Sequence, residues 1–128
     1  MASTPVWNVT VLDCGPLGRH MTVDDYRRIA LRLPEATESA HQGHPDFRVR
    51  GKVFATLWPD RGHGVVMLTR EEQDVLVQAE PAVFTPAAGG WGLRGATIVM
   101  LDPADEKTVC SALRMAWRRR APKGLALP

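Results

Sequence analysis

The chain has 128 residues, 45% of them hydrophobic and 23% charged, a balance that suits one globular domain and excludes a fibrous or wholly disordered chain. A formal net charge of +2 permits a polyanionic partner without demanding one. Cys14 and Cys110 lie too far apart in sequence to suggest a thiolate cage or a disulfide framework, and no apolar run reaches the roughly 18 residues a membrane span needs, so a reducing cytoplasm is expected.

Residues 1–20 show neither the basic start nor the sustained apolar core of a secretory signal. With Pro5, Gly15, Pro16 and Gly18 they read as a weakly ordered extension in which only Val6 to Leu12 could form a strand. A single domain is expected over 21–128. It opens on Thr22, placed to cap a helix with Asp25 three residues on, and Val23, Tyr26, Ile29, Ala30 and Leu33 recur at helical spacing until Pro34. Glu35 to His41 is polar and predicts a short exposed strand at most.

The central feature is His44 to Trp58. Phe47 and Val49, a turn at Gly51, then Val53, Phe54 and Leu57 predict an antiparallel hairpin with one buried face. Arg48, Arg50 and Lys52 fall at every second position and are expected on the opposite face, as three cations beside a core. Pro59 to Gly64 is a turn by composition, and Val65 to Leu68 a further strand. Thr69-Arg70-Glu71-Glu72 fits a capping box opening a second helix, with Val75, Leu76 and Ala79 inward and Pro81 as its stop. Val83 to Leu93 reads as a Gly- and Pro-rich loop carrying Phe84 and Trp91, followed by a strand from Ala96 to Leu101. Asp102-Pro103-Ala104-Asp105 predicts the start of a final helix with Val109, Leu113, Ala116 and Trp117 inward and Arg114 and Arg118 outward. This order gives an α+β domain, an antiparallel sheet with helices on one face.

Several motifs resemble one family when taken together. Leu31-Arg32-Leu33-Pro34, the run from His44 through Ala55, Gly90-Trp91-Gly92 and Ala116-Trp117-Arg118 resemble the MmcQ/YjbR family over roughly 21–122. The resemblance implies a CyaY-like fold and DNA binding through a double-wing arrangement. The sequence departs from the pattern at Ala96, where a large aromatic is expected.

The chemistry these residues could carry narrows to binding. Arg48, Arg50 and Lys52 with Arg114 and Arg118 are the candidate phosphate contacts of a DNA-binding protein of low sequence specificity. The alternative is a small-molecule or resistance accessory protein with an aromatic pocket of Phe54, Trp58, Phe84 and Trp91 beneath the glycine loop. Gly90 to Gly95 fits G-x-G-x-x-G but stands before a strand, not a helix, so a dinucleotide is not expected. His41, His44 and Asp46 could ligate a metal only if a turn at Gly43 brought the histidines together. No nucleophile motif is present, and the expectation is a non-enzymatic monomer or weak homodimer without cofactor or metal.

Overall fold

The computed structural model describes residues 21–41, 43–125 and 127. The expected N-terminal extension lies outside the described residues. Helix α1 (Val23–Leu31) is followed by strands β1 (Ala36–His41), β2 (His44–Val49) and β3 (Lys52–Trp58), a 3-10 turn (Pro59–Arg61) and β4 (His63–Met67). Then come α2 (Arg70–Ala79), β5 (Phe84–Pro86), a one-turn helix α3 (Gly89–Leu93), β6 (Ala96–Met100) and α4 (Glu106–Arg120). The strands form one six-stranded antiparallel sheet in the order β1-β2-β3-β4-β6-β5, so the α+β expectation holds.

Local chemistry sets the helix starts. Thr22 and Thr69 each cap a helix reciprocally with the acid three residues on, Asp25 and Glu72, which satisfies amides the helix cannot bond itself. The last helix starts at the final residue of the segment Asp102-Pro103-Ala104-Asp105, so Pro103 is not its first residue. Asp105 is its cap, accepting from the Thr108 amide at 2.8 Å, while Asp102 and Pro103 lie in the preceding turn.

One face of the sheet builds the main core. Tyr26, Ile29 and Ala30 of α1 and Val109, Leu113, Ala116 and Trp117 of α4 pack on Phe47, Val49, Phe54, Leu57, Val66 and Val99, with Leu76 and Val77 of α2 alongside. Val75 and Ala79, expected inward on α2, are exposed, and Gln73 is the buried residue of that helix. Gly64 allows close packing here, because a Cβ at this position would run into the Tyr26 ring.

The hairpin differs from its expected alternation in two ways. Arg50 and Gly51 both have positive φ, 52° and 82°, and join Val49 to Lys52 as a tight primed turn that matches the twist of the flanking strands. Arg50 is therefore a turn residue rather than a strand residue. A register shift opposite Phe47 and Arg48 then leaves Phe54 as an extra residue in β3. Phe54 and Ala55 both enter the core, and Val53 pairs with Arg48 on the other face instead of joining Phe47.

That other face carries a smaller apolar cluster of Val65, Met67, Ala87 and Ala96, bordered by Val53, Trp58 and Ile98. Ala96 closes this cluster where the family pattern led us to expect an aromatic. The loop expected from Val83 to Leu93 contains β5 and α3.

Candidate nucleic-acid interface

An antiparallel sheet alternates strand starts and ends along each of its two ends, so cations distant in sequence can meet there. The β2–β3 turn, the end of β4 and the start of β6 share one end. This end carries Arg50 and Lys52, then Arg70 just beyond β4, then Arg94 just before β6. Helix α4 arrives at the same end. Trp117 donates from Nε1 to the Pro34 carbonyl at 2.9 Å, Ala36 pairs with Val49, and Glu35 pairs with Arg50. Those contacts bring the last turn of α4, with Arg118, Arg119 and Arg120, to the same end of the sheet as the β2–β3 turn and Lys52.

Acids at this end are Glu35, bound by both Nε and Nη2 of Arg50, and Glu71 and Glu72 in the first turn of α2. The Arg50 guanidinium holds the Glu35 carboxyl below its ordinary range. Arg120 is half-buried with its Nε unpartnered, and burial, with the charge of Arg119 beside it, lowers its pKa. The opposite end mixes both signs. Asp60, Asp102, Asp105 and Glu106 lie there, as does Glu80 through its hydrogen bond from Thr108, together with Arg61, Lys107 and Arg28, which pairs with the buried Glu106 at 3.3 Å.

The expected site residues divide accordingly. Arg50, Lys52 and Arg118 converge at the basic end. Arg114 is exposed one turn further back on α4. Arg48 does not join them: it lies on the sheet face away from the helices, and its Nε and Nη2 grip the buried Asp46 carboxylate at 2.9 and 3.2 Å. Three cations on one strand face is thus corrected to one on the face, one in a turn and one at a strand start. Arg119 and Arg120 were visible in the sequence as part of a basic run, but Arg70 and Arg94 had no local signal. Only the strand order reveals their place.

The aromatic alternative is not assembled as one pocket. Phe54 and Phe84 are buried in the main core on the helix side. Trp58 is on the other face, where His44 packs on it at a centroid distance of 3.6 Å and Arg61 lies 6.0 Å from its ring. Trp91 is 38% exposed on α3. His41 and His44 are register partners across the β1–β2 hairpin, although the His41 side chain lies outside the described residues. Among the described residues, no group of three or more His, Cys, Asp or Glu is arranged to hold a metal ion. No helix among them is long and apolar enough to cross a membrane.

His63 packs 6.2 Å from Trp58, and burial, reinforced by Arg61 against the opposing pull of Asp60, lowers its pKa. The folded protein thus takes up the His63 proton less readily than the unfolded chain. Stability is expected to fall as pH drops below about 6.5, the ordinary histidine value. His63→Gln should flatten that part of a melting-temperature profile taken from neutral to mildly acidic pH; an unchanged profile would assign the dependence to other groups.

These elements make the chain a small α+β domain with cations gathered at one end of its sheet. The model of the YjbR family matches residues 31–119, and the chain belongs to that family. It is also similar to the crystal structure of Deinococcus radiodurans protein DR2400, a DUF419 domain, at a TM-score of 0.69 and 20% identity, covering 84% of this chain and 83% of that one. That likeness is one of fold. No curated protein matches.

Proposed function

We propose that the protein binds DNA through its phosphate backbone, with little sequence preference, at the end of the sheet built from Arg50, Lys52 and Arg118 to Arg120. The observation that carries this reading is the convergence of cations from the β2–β3 turn and the end of α4, held together by the Trp117–Pro34 hydrogen bond. Neutralising phosphates releases condensed counterions, which supplies sequence-independent affinity even at a modest overall charge. The resemblance of the chain to a family described as DNA-binding supports the same reading. The role is binding rather than catalysis, in the cytoplasm where DNA is accessible.

Fluorescence anisotropy with a labelled duplex tests it. Binding at about 50 mM salt should weaken steeply by about 200 mM, and each lost phosphate contact should reduce the salt slope by about 0.9. The combined variant Arg50→Gln, Lys52→Gln, Arg118→Gln, Arg119→Gln should bind at least about tenfold more weakly at the lower salt. No binding, or binding indifferent both to salt and to these four changes, would dismiss the proposal.

A further inference from the structure

Trp91 and Leu93 are exposed, at 38% and 67%, on a segment that is not loose. Gln73, itself 2% exposed, donates from Nε2 to the carbonyls of Gly92 and Ala96, both at 3.0 Å. Arg70 donates to the Leu93 carbonyl at 3.2 Å, and Thr97 to that of Gly95 at 2.9 Å. A Cβ at Gly92 would strike the Ala87 carbonyl, so the backbone there is packed against its neighbour. A buried amide thus fixes the backbone on which the Trp91 indole and the Leu93 side chain stand exposed.

This platform stands on the basic end. Strands lie about 4.8 Å apart, so from Lys52 on β3 across β4 to Arg94 before β6 is about 10 Å. Arg70 reaches this short helix at the Leu93 carbonyl, and Arg94 caps it three residues after Trp91. An exposed aromatic on a segment that also carries two arginines, at the end of the sheet that holds Lys52, matches a polyanion whose bases are free to stack. A duplex buries those faces, whereas a single strand offers them.

Resting on the DNA-binding reading above, we infer that single-stranded nucleic acid is the preferred ligand of this end, its phosphates following Lys52, Arg70 and Arg94 and one base stacking on Trp91. The test is anisotropy with a labelled oligothymidylate and with a duplex of equal length at the same low salt. The wild-type protein should favour the oligothymidylate. Trp91→Ala should weaken binding to it about tenfold while changing duplex binding less than about twofold, and Trp91→Phe should keep most of the affinity. Arg70→Gln with Arg94→Gln should weaken both ligands. If Trp91→Ala affects neither ligand, or both equally, while salt-sensitive binding persists, stacking is refuted and the phosphate-binding reading survives. If the wild-type protein binds neither ligand, both fall.

Discussion

Trp117→Ala is expected to remove about 3–5 kcal/mol of folding stability and to lower the melting midpoint by more than about 10 °C. The side chain is 1% exposed within the main core, between α4 and the sheet, so its removal costs both transfer free energy and a large cavity. It also strips the Pro34 carbonyl of its donor. Trp117→Phe separates the two contributions: it keeps most of the apolar volume but leaves that carbonyl unsatisfied, for an expected loss of about 1–3 kcal/mol. Because the same hydrogen bond ties the end of α4 to the segment entering β1, the alanine variant should also weaken DNA binding under conditions where it remains folded. A melting midpoint within a few degrees of wild type would show that this residue does not hold the layers together.

Gly95→Ala should be nearly as damaging, at about 3 kcal/mol or more by urea unfolding. Gly95 has φ of 107°, and a Cβ there would meet the backbone carbonyl of Leu68, whose own amide donates to the Gly95 carbonyl at 3.3 Å. Left-handed backbone alone costs an L-residue about 1–2 kcal/mol, and the remainder comes from pushing the ends of β4 and β6 apart. Gly51 is the control. Its φ is also positive, but no atom lies within 4 Å of a Cβ built on it, so Gly51→Ala should cost only the backbone penalty of about 1–2 kcal/mol. Equal losses at the two positions would rule out the backbone clash as the cause.

What was legible in the sequence is what local chemistry determines. Thr22 with Asp25 and Thr69 with Glu72 announced two helices, and the stripe from Val109 to Trp117 announced the inward face of a third. Strand β1 was underestimated because its residues from Thr37 to Ala40 are exposed, leaving no apolar alternation to read. The extra residue at Phe54 was hidden for a different reason: Val53-Phe54-Ala55 is apolar throughout, and only pairing with β2 decides which side chain crosses to which face. Arg50 misled through its spacing. Alternation assumes extended backbone, whereas Arg50-Gly51 turns the chain, and the glycine was the available warning. For the site, the run from Arg118 to Arg120 was visible, but its proximity to Lys52 depends on a hydrogen bond spanning 83 residues of sequence.

Because Arg118 to Arg120 are concentrated in the last turn of one helix, the net charge of +2 understates how that end of the molecule would meet a charged rod. That end would be drawn in first, so the molecule would approach a polyanion in one preferred orientation.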